Sequence, residues 1–196
     1  MKSIETSPNE IVARVAATPS PLKRQLLMLA HITSLLRERG KPAPVLIGGC
    51  ALAYYSREVY FTVDIDLAYS DREALDAVLT RLDFVADGRY WVHRDLKLMV
   101  EVPASALAGE DAPLEIVEFE DGLECCIIGL EDLLIDRMNA CKHWNSSQDC
   151  EMVELLVRQF ASTLDWEYLL KKAALPDNGT LSDLTALKGQ YGNENP

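Results

Sequence analysis

The chain has 196 residues, 48% of them hydrophobic and 26% charged, a composition that excludes a disordered polymer. Acidic residues outnumber basic ones 31 to 19, for a net charge of −12, so general DNA binding is not expected of it. No apolar run approaches the ~20 residues of a membrane-spanning helix, and the first eight residues lack the apolar centre of a signal peptide. The expectation is a soluble protein of the cytoplasm, with no membrane partner.

Charge is unevenly spread. Residues 1–41 hold seven Lys or Arg and three Glu, so a basic helix within a negative chain either faces solvent or meets an anionic partner. The five cysteines, Cys50, Cys125, Cys126, Cys141 and Cys150, are odd in number and contain no Cys-x-x-Cys. They read as reduced, packing thiols, with neither zinc nor a disulfide framework expected.

In chain order, residues 1–19 form an N-terminal arm with a short helix. Ser20 then caps a helix whose first residue is Pro21, with Leu22, Leu26, Leu29, Thr33 and Leu36 at helical spacing and Gly40 and Pro42 as the stop. Val45-Leu46-Ile47 is a short buried strand that Gly48-Gly49 turns into a helix from Cys50 to about Ser56. Thr62 to Ala68 is a second strand, and Asp71 caps a helix to Leu82. Tyr90–His93, Leu96–Val102, Leu114–Phe119 and Leu123–Ile128 read as further strands, the last two joined by an Asp121-Gly122 hairpin turn. Helical patterns follow over about 131–144, 149–160, 165–174 and 182–187, with a break at Asn145-Ser146-Ser147. The organisation is an α/β domain over 20–128, then a helical C-terminal region over 129–196 packed on it.

Val63-Asp64-Ile65-Asp66-Leu67 is the most informative segment. Strand side chains alternate, so Val63, Ile65 and Leu67 share a core face while Asp64 and Asp66 share the other. Two carboxylates roughly 7 Å apart on one strand face repel unless a cation, a proton or a basic side chain lies between them. Two solvated aspartates on an edge strand are the plain alternative. Magnesium, a hard cation content with one or two carboxylates plus substrate phosphates, suits the face. The Gly48-Gly49 turn lets backbone N–H groups, including that of Cys50, approach a phosphate at a helix N-terminus, although a tight turn is its default meaning. It is neither a Rossmann nor a Walker loop. Glu101 stands alone among apolar residues in Leu98-Met99-Val100-Glu101-Val102. If its strand lies beside the aspartate strand, three carboxylates converge as in a two-metal phosphoryl-transfer site.

Gly48-Gly49, fourteen residues, Asp64-Ile65-Asp66 and a later apolar strand bearing Glu101 resemble the nucleotidyltransferase superfamily typified by DNA polymerase beta. Tyr90-Trp91-Val92-His93, Val100-Glu101-Val102-Pro103 and Leu107-Ala108-Gly109 resemble an uncharacterised bacterial branch related to abortive-infection nucleotidyltransferase toxins. The Leu130–Arg137 helix is similar to the one that follows the catalytic sheet there. The resemblance spans about residues 43–160. It implies an α/β (α+β) fold with a short mixed β-sheet, flanking helices and a helical C-terminal region. It implies two Mg2+ ions held by Asp64, Asp66 and Glu101, with nucleotide phosphates held by Gly48, Gly49, the Cys50 backbone and Arg137. Lys142 is a further phosphate candidate. Tyr60 stands where that branch carries an arginine, so phosphate neutralisation here is weaker or differently supplied.

For Arg137 a salt bridge to a neighbouring carboxylate is the competing reading, and for Lys142 a solvated position. His31, His93 and His143 read as packed or exposed, since this chemistry needs no histidine. The expected reaction is attack by an acceptor on the α-phosphate of a nucleoside triphosphate. The acceptor is open among a small molecule, a protein side chain and an RNA end. The alternative is a catalytically silent nucleotide- or metal-binding module, paired with a protein partner in a toxin–antitoxin or regulatory couple.

Overall fold

A computed structural model describes residues 7–107, 109 and 112–192. Ala108 and the first six residues of the N-terminal arm lie outside the described residues. The chain divides into two compact units. One comes from the chain up to Tyr54 and from Phe61–Ile128, the other from Tyr55–Tyr60 and from Gly129 onward.

The first unit opens with α1 (Pro8–Ala16) and α2 (Pro21–Arg37). Ser7 closes a capping box with Glu10, and Ser20 accepts from the Lys23 N–H with Pro21 at the first position, so both helices start where their caps dictate. Next come β1 (Val45–Ile47), α3 (Gly48–Tyr55), β2 (Asp64–Ala68), α4 (Arg72–Arg81), β3 (Val85–Asp87), β4 (Tyr90–His93), β5 (Leu98–Ala104), β6 (Leu114–Glu118) and β7 (Glu124–Ile128). Asp71 caps α4 through the Ala74 N–H, as its spacing predicts.

The strands form one seven-stranded sheet in the order β3-β4-β5-β2-β1-β7-β6. It is mixed: β2 runs parallel to β5 and β1 parallel to β7, and the remaining neighbours are antiparallel. The sheet is larger than the short one expected. β3, exposed along its whole length, carries no alternation to announce it and exists by pairing with β4. β5 starts at Leu98, not Leu96, because Lys97 takes a left-handed φ of 53° in the preceding turn. The Asp121-Gly122 turn is present, with the Phe119 N–H donating to the Leu123 carbonyl at 2.8 Å.

Registers sort the side chains onto two faces. Leu46, Leu67 and Ile127 stand opposite one another, as do Ile65, Val100 and Trp91, and all six are buried. Ile47, Asp66, Glu101 and Tyr90 form a row on the other face, where residues are half-buried. The apolar face supplies the core. The other face is left for polar work.

The second unit contains α5 (Leu130–His143), α6 (Ser147–Phe160), α7 (Trp166–Ala173) and α8 (Leu181–Tyr191). Tyr55 meets Phe160 edge-on at 6.3 Å between ring centres, and the Tyr168 hydroxyl donates to Asp132 at 3.1 Å. The break between α5 and α6 falls at Asn145, with a left-handed φ of 50°. It brings the end of α5 onto the start of α6, with the Cα atoms of Cys141 and Cys150 4.9 Å apart and their sulfurs bonded. This overturns the expectation of five reduced thiols. Cys50, Cys125 and Cys126 are free and buried. Among the described residues no helix is long and apolar enough to cross a membrane.

One buried group ties this packing to pH. His31 in α2 is 4% exposed and its Nε2 has no partner. Burial, reinforced by the Arg14 charge, pushes its imidazole down to about 4. The folded state therefore takes up that proton less readily than the unfolded chain. Its contribution is complete above the ordinary value of 6.5 and is lost as pH falls toward about 4. Over that window the loss is on the order of 3 kcal/mol. Urea unfolding of wild type and His31→Leu at neutral pH and at pH 4 should show a clearly shallower acid loss in the variant. Equal losses would place the imidazole in water.

Candidate functional site

The site is built where β1 ends. Gly48 adopts a φ of +63°, and a Cβ placed on it would lie 2.4 Å from Asp66 Oδ2. Glycine is required there on both counts. The bend sets the first residues of α3 against the facing strand, and the Gly49 N–H donates to Asp66 Oδ2 at 3.3 Å. Cys50 follows, fully buried, its thiol held protonated by burial and by the fields of Asp66, Cys125 and Asp64. Any role it has passes through its backbone.

β2 is located by α2. The Gln25 amide, buried in α2, donates to the Thr62 carbonyl at 3.0 Å and toward that of Asp64 at 3.4 Å. The Thr62 hydroxyl accepts from the Asp64 N–H at 3.2 Å, so the strand begins at Asp64 rather than at Thr62. Asp64 and Asp66 then point to one face. Asp66 is paired across the parallel ladder with Glu101, and residues directly opposite share a face. The adjacency of the two acidic strands, left as a condition by the sequence, is present.

The three carboxylates live in different surroundings. Asp64 Oδ1 is sealed from solvent without a hydrogen-bond partner, and burial raises its carboxyl above the usual aspartate range. Asp66 receives the α3 amide. Glu101, with 16% of its side chain exposed, pairs with Arg89 at 3.1 Å between Oε1 and Nε. As the side chains stand, no group of three or more His, Cys, Asp or Glu among the described residues is gathered to hold a metal. The donor chemistry nonetheless fits one. The acids offer oxygen ligands to a hard cation, and the orphaned Asp64 oxygen carries a desolvation cost that a cation would remove.

Sequence reasoning missed Arg89 and Gln25. Arg89 sits in a hairpin turn with no periodicity to flag it, and Gln25 looks like an incidental polar residue in a leucine-rich helix. Arg137 and Lys142 lie in the second unit. Arg137 pairs with Asp136 at 2.5 Å and Asp149 at 3.1 Å, the salt-bridge arrangement weighed against a phosphate role. Lys142 donates to the Gly179 carbonyl and pairs with Asp183, both at 2.6 Å. His93 is packed, edge-on to Phe84, with its Nδ1 accepting from the Leu96 N–H.

Two substitutions test this geometry. Gly48→Ala should cost about 1–3 kcal/mol through backbone strain alone, more if Asp66 cannot move aside, as read by chemical denaturation. Asp64→Asn should have the opposite sign at neutral pH. A carboxyl whose folded value is raised withdraws stability as pH rises through that value, and the amide has no such loss. Its melting temperature without divalent ions should exceed that of wild type at pH 7, with the gain shrinking as pH falls toward the ordinary 3.8. A lower melting temperature at neutral pH would contradict the buried, unpartnered carboxylate.

No protein-family model and no curated protein matches the chain. Among solved structures it is similar to the antibiotic-resistance factor ANT(2'')-Ia, whose solution structure reveals substrate-regulated conformation dynamics. The likeness covers 92% of this chain and 97% of that one, at a TM-score of 0.49 and 16% sequence identity.

Proposed function

We propose that the first unit transfers a nucleoside monophosphate from a nucleoside triphosphate to an acceptor, with Mg2+ as cofactor. One observation carries the reading: Asp66 and Glu101 are register partners on adjacent parallel strands, Asp64 shares their face, and the Gly48 bend abuts Asp66. Asp64 and Asp66 would hold the nucleotide-side ion, and Asp66 with Glu101 the acceptor-side ion. Bound there, the cations would offset charge on the triphosphate and lower the acceptor's pKa.

The chain's own groups do the rest. The Gly48-Gly49-Cys50 backbone orients the β- and γ-phosphates at the start of α3, where N–H groups and the helix dipole favour anions. Glu101 accepts the proton that the acceptor's oxygen or nitrogen loses. The bond from that atom to the α-phosphorus forms as the bond from the α-phosphorus to the bridging oxygen breaks, and pyrophosphate leaves with the electron pair. Arg137 and Lys142 stay outside this proposal, because each would first have to abandon an ion pair in the second unit.

A second reading, nucleotide or metal binding without turnover, is favoured by the Arg89–Glu101 ion pair, which occupies the residue that would take the proton. Incubation with α-labelled nucleoside triphosphates, Mg2+ and pooled small-molecule, protein or RNA acceptors separates the two. Label transfer supports the enzyme, and binding without transfer supports the silent module. Asp64→Asn and Asp66→Asn should each abolish Mg2+-dependent nucleotide binding, measured by calorimetry. Undiminished binding in both would remove the site.

A further inference from the structure

Arg89 occupies the turn between β3 and β4, next to Gly88 with its left-handed φ of 63°. That turn ends at Tyr90, which stands opposite Glu101. The Arg89 guanidinium donates to the Tyr90 hydroxyl at 2.5 Å, lies 4.8 Å over the Tyr90 ring and meets Glu101 at 3.1 Å. The Arg89 side chain is 69% exposed, against 16% for Glu101, so the cation covers the carboxylate from the solvent side. Its charged form is favoured by Tyr90 first and Glu101 next, and the field of Asp66 reaches it as well.

We propose that Arg89 is an exchangeable counter-ion. It neutralises Glu101 in the ligand-free protein, releases it when a nucleotide–Mg2+ complex enters, and turns to the nucleotide's phosphates. The proposal rests on the reading under Proposed function and adds a residue to it. A guanidinium held on Glu101 repels a divalent cation that approaches the same carboxylate. While Arg89 holds Glu101, that side chain is committed to an ion pair. A guanidinium displaced from a carboxylate keeps a planar fork of N–H donors, which matches a phosphate equally well. The turn is short, and among the described residues the Arg89 guanidinium is held by Tyr90 and Glu101, so the exchange requires side-chain rotation alone.

The test uses the full chain as wild type, Arg89→Ala and Arg89→Lys, with two binding measurements. The first is titration with Mn2+ alone, and the second is titration with a non-hydrolysable nucleoside triphosphate analogue in Mg2+. Arg89→Ala should bind Mn2+ about two- to fivefold more tightly, the span expected when an exposed ion pair no longer competes. It should bind the analogue several-fold more weakly, with Arg89→Lys recovering part of that loss. Opposite changes from one substitution are not produced by a merely structural pair. Unchanged affinities, or a parallel fall in both, would overturn the counter-ion while leaving the carboxylate site intact. A wild type that binds neither probe would overturn both the counter-ion and the reading beneath it.

Discussion

There is no room for a side chain between the Gly48 Cα and the Asp66 carboxylate, and much of the first unit follows from that close approach. The antiparallel pairing of β1 and β2 sets Ile47 opposite Asp66, so the residue after Ile47 must turn sharply or collide. A left-handed glycine makes the turn, and α3 starts with the Gly49 amide directed at the acid. The carboxylate is thereby fixed from one side by a helix N-terminus, whose partial positive charge suits it. From the other side it is fixed by the ladder to β5. A strand–bend–helix unit and an acidic strand become one rigid corner.

The two faces of the sheet divide the energetics. Leu46, Ile65, Leu67, Val100 and Ile127 are wholly buried, and burial of such side chains is the main source of stability. That reserve lets the opposite face carry an unpartnered Asp64 oxygen. The positive excess near the N-terminus resolves in the same unit. Arg14 pairs with Asp121, Arg37 with Glu124 at 2.6 Å and Lys41 with Asp71 at 2.8 Å. Exposed pairs of this kind add little stability, but they join three of the basic residues to acids of the same unit.

Local signals in the sequence were legible because local physics produced them. Ser20 and Asp71 cap helices, Asp121-Gly122 closes a hairpin, and the Asp-x-Asp alternation survives because β2 is buried on one side only. The placement of Glu101 beside Asp66 was readable only as a condition, since the two residues lie 35 positions apart and their register depends on the chain between them. What escaped was non-local or unpatterned. β3 has three exposed residues and no apolar face. Arg89 acquires meaning only from the Tyr90–Glu101 register, and Gln25 from a carbonyl 37 positions away. The Cys141–Cys150 bond depends on how the chain reverses at Asn145, which spacing alone does not dictate.

The β6 rim carries a last consequence. Leu114 and Ile116 are exposed on this outermost strand, the kind of border that invites another chain to zip on. Glu115 and Glu118 lie among the apolar residues of the strand, and Glu118 faces Glu124 across the ladder, where Arg37 engages Glu124. A second molecule docking rim to rim would add its own glutamates to this row. Like charge along the border disfavours the approach of an identical edge.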